Sequence, residues 1–361
     1  MFSTRLRRAR KAVGLSLRDV GARVGLSHAA IKKYEDGVAM PASDVLLALA
    51  RALNVRAEYF FRPELVELEG VDYRKRSTLP KKRLDAITHE LLDQVERRLE
   101  LENLFPTPPI QAFSPVAGLP AEVGALEDIE RVAERVRAAW KLGLDPIPDL
   151  IDLLEAHGVR VFMVDAEAGQ KFDGLAARVG GVPIVVVGRH WPGDRQRFTL
   201  AHELGHLVLN GRLAAALAEE AACNRFAGAF LFPAASVVQK LGKHRNAVEL
   251  QELALLKEEF GLSMSGILFR LRDLGIVSPA YREAQAKLFG MKGWHVREPG
   301  AMYRTEKAHL FEQLVYHALA EDYIGEAKAA ELLNLSLDAF RRVRSMESAE
   351  ESCRTCCMPK S

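Results

Sequence analysis

The chain reads as an α+β protein, mostly α-helical with one small β-sheet. Three observations predict this class. Apolar residues recur at helical spacing along most of the 361 residues. Only three short runs, at 159–164, 175–179 and 183–187, have strand character. The last of these leads directly into a helical stretch that carries His202-Glu203-Leu204-Gly205-His206. The length implies two or three domains, each large enough for its own core. The expected division is a basic helical domain at 1–65, a helical connector at 66–117, a body at 118–287 and a helical C-terminal region at 288–361 that ends in a polar, disordered tail.

Residues 5–62 read as several short helices. The first covers 5–13. Ser16 caps the next, with Asp19 as its capping-box partner, and this helix runs from Leu17 to Val24 and stops at Gly25. Ser27 caps a third helix from His28 to Glu35. Leu15, Val20, Val24, Leu26, Ile31 and Tyr34 form their shared core. Gly37 and Pro41 break the chain, and Ser43 caps a further helix that turns Val45, Leu46, Leu49, Ala50 and Leu53 inward. Helix, glycine turn, helix is the helix-turn-helix arrangement.

Net charge is only +2, but residues 1–62 hold twelve Lys and Arg against five Asp and Glu. Such local basicity points to a nucleic-acid partner. Arg10, Leu15-Ser16, Val20-Gly21, Val24-Gly25-Leu26-Ser27, Ile31, Tyr34-Glu35, Gly37 and Pro41 stand in the order and spacing of the Cro/repressor-type (XRE) helix-turn-helix domain, which this stretch resembles. The resemblance implies double-stranded DNA as partner. The helix from His28 to Glu35 would enter the major groove, with His28, Ala29, Lys32 and Lys33 as candidate contacts. Leu17 departs from the pattern, which commonly has Gln there. The alternative is a solvated helical module that mediates dimerisation.

In the connector, Leu84, Ile87, Leu91, Leu92, Val95 and Leu99 recur at helical spacing among charges, and Phe105-Pro106-Thr107-Pro108-Pro109 ends the run. One long amphipathic helix is expected, its apolar stripe packed on the body. A homodimer contact is the alternative.

The body opens with helices at 127–142 and 149–157. Asp173-Gly174 makes a turn before the second strand, and Gly180-Gly181 makes a hairpin turn into the third. A sheet edge beside the following helix would suit an extended peptide adding as a strand. In that helix His202 and His206 lie one turn apart on one face, so both imidazoles can bind one Zn²⁺ at about 2.0–2.1 Å. His-Glu-x-x-His is the zinc signature of many metallopeptidases. Glu203 lies beside that face, placed to take a proton from water. Asp194 is the expected N-cap, and Phe198, Leu200, Leu204, Leu207 and Val208 form the apolar side. A catalytic zinc usually takes three protein ligands. The helix from Glu219 to Leu231, ended by Pro233, offers the third as Glu219 or Glu220.

His202-Glu203-Leu204-Gly205-His206, followed by Glu220-Ala221-Ala222-Cys223-Asn224-Arg225-Phe226-Ala227 and Pro233, resembles the ImmA/IrrE family of zinc metallo-endopeptidases. The match runs from about Ile147 to Tyr281, and Ser263-Met264-Ser265 through Leu274-Gly275 also fits it. Asn210 and Gly188 depart from it, where His and Asn are common. The resemblance implies a zincin-like metallopeptidase domain with Glu220 as third ligand and Zn²⁺ as cofactor. It also implies a protein substrate, often a repressor whose cleavage turns genes on. Glu203 would be the catalytic base, and His190, Arg178 and Arg195 are the candidate oxyanion donors. One rival is a transcription factor whose zinc domain senses and cuts nothing, with Cys223 or His190 closing the site. Another is one half of a toxin–antitoxin pair.

The C-terminal region contains a helix at 311–319, then a run at 324–337 that reads as two short helices with a turn at Asn334. It is either a small packing element or a second helix-turn-helix. Cys353, Cys356 and Cys357 crowd the tail, which is no disulfide framework for a chain of this length and leaves free thiols as the simplest expectation. No signal peptide and no membrane-spanning run is read, and a reducing cytoplasm fits these features.

Overall fold

The computed structural model describes residues 1–62, 66, 81–165 and 172–346, and the three tail cysteines lie outside the described residues. Among the described residues the fold is mostly helical with a single three-stranded sheet. Helices α1 (Phe2–Ala12), α2 (Leu17–Val24), α3 (His28–Glu35) and α4 (Ser43–Ala52), with a short 3₁₀ turn at Ala57–Phe61, enclose their own core. Ser16 and Asp19 form the expected capping box, and Ser27 accepts from the Ala30 amide. Ser43 does not cap α4. Ala42 is the N-cap residue there, and Ser43 is already helical. Arg10 makes a two-pronged contact with the buried Glu35 carboxylate at 2.6 and 2.9 Å, which locks α1 to α3.

The connector forms one helix, α5 (Lys81–Glu102). Its stripe of Ile87, Leu91 and Val95 covers one face of the sheet, against Phe162, Leu175, Ala177 and Val186. The helix also makes ionic and hydrogen-bonded contacts to the helices on either side. The buried Glu96 accepts from both Arg5 and Arg8 of α1. Arg62 reaches Asp93 at 2.9 Å and Glu331 at 3.1 Å. Arg97 donates to the Leu332 carbonyl at 2.7 Å.

The body begins with α6 (Asp128–Ala139) and α7 (Leu150–Ala156), the latter capped by Asp149. Strands β1 (Arg160–Val164), β2 (Gly174–Val179) and β3 (Val182–Gly188) follow. Their order is β1-β3-β2, with β1 parallel and β2 antiparallel to β3. Gly180 and Gly181 both take positive φ, +53° and +80°, as a two-residue hairpin of this twist requires. Val161, Met163, Val185 and Val187 point to the opposite face from the α5 contacts and enter the main core. Both faces of β3 are therefore buried, which explains its unbroken apolar run.

Helix α8 (Gly193–Leu209) carries the His-Glu-x-x-His stretch, and α9 (Glu219–Leu231) packs across it. Asp194 is not the N-cap of α8. Pro192 precedes the helix, and Asp194 sits buried in its first turn, 2.9 Å from Lys257 Nζ. The carboxylate also accepts from the Arg195 amide at 2.9 Å, so the long-range cation and the neighbouring backbone share it.

Helices α10 (Ala234–Leu241), α11 (Leu250–Phe260), α12 (Met264–Asp273) and α13 (Pro279–Met291) complete the main core. The segment 295–309 then returns as a strap. Glu298 accepts from Lys257 Nζ and from the Met264 and Ser265 amides at the start of α12. Glu306 pairs with the buried Arg197 of α8 and accepts from the Leu150 and Ile151 amides at the start of α7. Both carboxylates thus serve helix N-termini while pairing with a buried cation. A final unit of α14 (Leu310–Ala320), α15 (Glu326–Leu332) and α16 (Leu337–Arg344) packs on Leu101 of α5. Among the described residues no single helix is long and apolar enough to cross a membrane.

Glu155 of α7 is almost wholly buried. Burial pushes its carboxyl up to about 7, although Arg98 at 3.2 Å pulls the other way. An acid raised in the folded state keeps its proton where the unfolded chain loses it. Stability is therefore present below the ordinary value of 4.5 and is lost as pH rises through about 7. The slope approaches about 1.4 kcal/mol per pH unit inside that window. Urea midpoints from pH 5 to 8 should fall less steeply in Glu155→Gln than in the parent. Parallel curves would show that Glu155 does not titrate in this way.

Candidate metal centre and DNA-facing helix

The centre is built where α8 and α9 cross. Gly205 makes the crossing close: a Cβ there would stand 3.3 Å from Cys223 Cα and 3.2 Å from the Phe226 ring. Two small residues of α9, Ala222 and Ala227, are fully buried in the main core. Behind α9, Glu130 of α6 pairs with Arg225 at 2.7 Å and with the buried Arg270, whose Nε donates to the Phe232 carbonyl. Arg137 donates to the Phe230 carbonyl at 2.7 Å, serving the C-terminal end of the same helix. These contacts set the position of α9 before any ligand is considered.

At the crossing, His202 Nε2 and His206 Nε2 stand 3.1 Å apart. Glu220 brings Oε2 to 3.3 Å from His202 Nε2 and Oε1 to 3.6 Å from His206 Nε2. Two ligands at about 2.0–2.1 Å from one tetrahedral ion are about 3.3–3.4 Å from each other. The three observed edges bracket that spacing. Among the described residues these three form the one group whose ligand atoms lie within 4.8 Å of one another.

The back of each ring explains which nitrogen faces the centre. His202 Nδ1 lies 2.9 Å from Asn224 Oδ1, and His206 Nδ1 lies 2.7 Å from Glu219 Oε1. An acceptor at Nδ1 requires the ring proton there and leaves the Nε2 lone pair for a cation. Two facing lone pairs and a carboxylate, so arranged, fit a divalent ion with nitrogen and oxygen ligands. Cys223 Sγ is buried 3.3 Å from His206 Nδ1, on the side of the ring away from Nε2.

The centre opens into a cleft of about 750 Å³ lined by Asp173, Gly174, Arg195, Phe198, Thr199 and Glu203 besides His202 and Glu220. Glu203 is 4% exposed and shares the wall with His202. Gly174 begins the edge strand β2 so close to α8 that a Cβ would meet Thr199 Cγ2 at 2.5 Å. Of the three candidate oxyanion donors only Arg195 lines the cleft. It is 2.9 Å from Asp173 Oδ1 and stacks on the Trp191 ring. Arg178 donates to the Gly181 carbonyl of the hairpin, and His190 lies 3.5 Å from Asp165. The sequence offers Glu219 only as an alternative ligand, not as a partner of His206, and gives Asn224 no role. The signal was present in their spacing, since Glu219 and Asn224 bracket Cys223 on the face turned to α8.

At the other end of the chain, α3 buries Ile31 and Glu35 and exposes His28, Ala29, Lys32 and Lys33. All four candidate DNA contacts therefore share a solvent-facing side.

Gly205→Val should wedge the α8–α9 crossing and cost about 1–3 kcal/mol, read as a lower chemical-denaturation midpoint. An unchanged midpoint would show that the crossing is not tight.

Comparison with known families places both halves. Residues 154–272 match the model described as IrrE N-terminal-like domain, a peptidase family, and residues 6–60 match the model described as Helix-turn-helix. No curated protein matches the chain.

Proposed function

We propose that this chain, in which a helix-turn-helix domain precedes an IrrE N-terminal-like peptidase domain, is a DNA-binding regulator that cuts a protein substrate. The substrate class is a repressor or similar protein whose loss changes gene expression. The observation that carries the reading is the convergence of His202 Nε2, His206 Nε2 and the Glu220 carboxylate at the floor of an open cleft. In the proposed organisation 1–65 binds DNA, 66–117 connects, 118–287 forms the peptidase and 288–361 the C-terminal region.

His202, His206 and Glu220 would hold Zn²⁺. When bound, the ion supplies Lewis acidity that polarises a scissile carbonyl and makes water more acidic. The remaining work falls to the chain. Glu203 takes the proton of the attacking water and returns it to the leaving amine. Glu219 and Asn224 hold the two rings in one tautomer and orientation. The outer edge of β2, where Gly174 meets the cleft, would receive the substrate as an added strand. The helix-turn-helix domain would raise the enzyme's local concentration at a DNA-bound substrate.

A sensor that cuts nothing would suit a site closed by a fourth ligand. Its two suppliers are badly placed: Cys223 faces Nδ1 rather than Nε2, and His190 stands outside the cleft lining.

Metal analysis of variants tests the ligand set. His202→Ala, His206→Ala and Glu220→Ala should each lose bound zinc. Glu219→Ala should still bind one equivalent, with affinity lowered about 10–100-fold. Equal loss in both Glu variants would undo the assignment. Glu203→Gln tests the chemistry. It should keep zinc and fold while cleavage slows by about 10²–10⁴. Intact-mass analysis of proteins encoded beside the gene, after incubation with zinc-loaded enzyme, reads that loss. Normal cleavage by Glu203→Gln would remove Glu203 from the mechanism.

A further inference from the structure

One local design occurs four times among the described residues, once between α1 and α2 at Gly14-Leu15-Ser16 and three times further along the chain. A helix ends at a residue with positive φ, a Leu follows, then a Ser that caps a second helix. The three further copies are Gly25-Leu26-Ser27, Gly261-Leu262-Ser263 and Asn334-Leu335-Ser336. The turn residues have φ of +72°, +65° and +56°. The serine side chains accept from the Ala30, Gly266 and Ala339 amides at 3.2, 3.0 and 3.1 Å. The first and third of these three agree further. Leu26 N donates to Gly21 O at 2.8 Å, and Leu335 N donates to Ala330 O at 2.8 Å. Val20 and Ile31 are fully buried between the helices of the first copy, and Ala329 and Phe340 occupy the same places in the third.

The copies differ in what their second helices expose. In α3 the outward positions are His28, Ala29, Lys32 and Lys33. In α12 the matching residues begin with Met264 and include Leu268, both buried, so that copy is part of the body's core. In α16 they are Leu337, Asp338, Arg341 and Arg342, and the last three are exposed. Cations stand where α3 carries Lys32 and Lys33, with Arg344 one turn on. Arg341 and Arg344 are held by Glu326 of α15 at 2.9 and 2.6 Å, which orders them on this face.

We propose that 326–344 is a second DNA-binding helix-turn-helix, whose helix α16 meets duplex DNA through Arg341 and Arg342. Charge complementarity chooses the partner. The face is basic and arginine-rich, and an arginine fork suits phosphate or guanine edges. The unit also shares its platform with the first. α5 holds α1 through Glu96 and holds α15 through Arg97, while Arg62 joins the N-terminal domain directly to Glu331. A chain so built carries two basic helices on one platform, and contact through the second adds phosphates to the total neutralised.

The inference extends the proposed DNA-binding role of 1–65, so the experiment separates the two. Binding of the full-length protein to a labelled mixed-sequence duplex is measured across a salt series. Each phosphate contact contributes about 0.9 to the slope of log affinity against log salt. Arg342→Gln should lower the slope by about one unit, and Arg342→Lys should restore it. The same decrement should appear in a Lys32→Gln, Lys33→Gln background. Circular dichroism and the thermal midpoint check that the variants fold. If Arg342→Gln keeps the parent slope while the lysine variant loses slope, the second site is overturned and the first stands. The reverse result removes the first and keeps the second. Identical slopes in every variant, or no binding by the parent, overturn both.

Discussion

The contact on which the site depends is the close passage of α8 over α9 at Gly205. With a glycine at the crossing, the Cys223 backbone comes near enough for Glu220, three residues earlier, to reach both histidine Nε2 atoms. The same closeness brings Glu219 and Asn224 to the rear of the rings. A side chain at position 205 would push the helices apart by a few tenths of an ångström or more. Ligand geometry tolerates little of that, because the Nε2 and carboxylate spacing already matches one small ion.

Holding that crossing takes a frame of buried ions rather than apolar packing alone. Arg197 and Glu306 on one side, and Asp194, Lys257 and Glu298 on another, tie the first turns of α8 to the strap at 295–309. Glu130 with Arg225 and Arg270 ties α9 to α6 and α12. Removing one partner of such a pair leaves a buried charge uncompensated, at a cost of about 3–5 kcal/mol. Each of these carboxylates also meets backbone amides or a second cation, so few polar groups are left unsatisfied. The strap therefore belongs to the body energetically, although it follows the last body helix in sequence.

Local signals made much of this legible. The bounds of α2, α3 and α9 follow from Ser16, Gly25, Ser27 and Pro233, whose effects reach only a few residues. β1 and β3 follow from their Val-rich runs, and β2 from the Asp173-Gly174 and Gly180-Gly181 turns that bound it. His202, His206 and the Glu219/Glu220 pair were visible as ligand types at helical spacing. What stayed hidden depends on partners far along the chain. Asp194 looks like a cap until Lys257, 63 residues later, is folded against it. Glu219 points about 100° from Glu220 on an isolated helix, and only the crossing turns that direction toward His206 Nδ1. The connector's apolar stripe was evident, but that it would cover the sheet while its ionic face carried both outer helical units was not.

The central claim is an open site with two imidazoles and one carboxylate, and zinc K-edge absorption of the metal-loaded protein tests it most directly. The account predicts only nitrogen and oxygen neighbours at about 2.0–2.2 Å, with the multiple-scattering signature of two imidazole rings. A sulfur neighbour at about 2.3 Å would place Cys223 on the metal and contradict it.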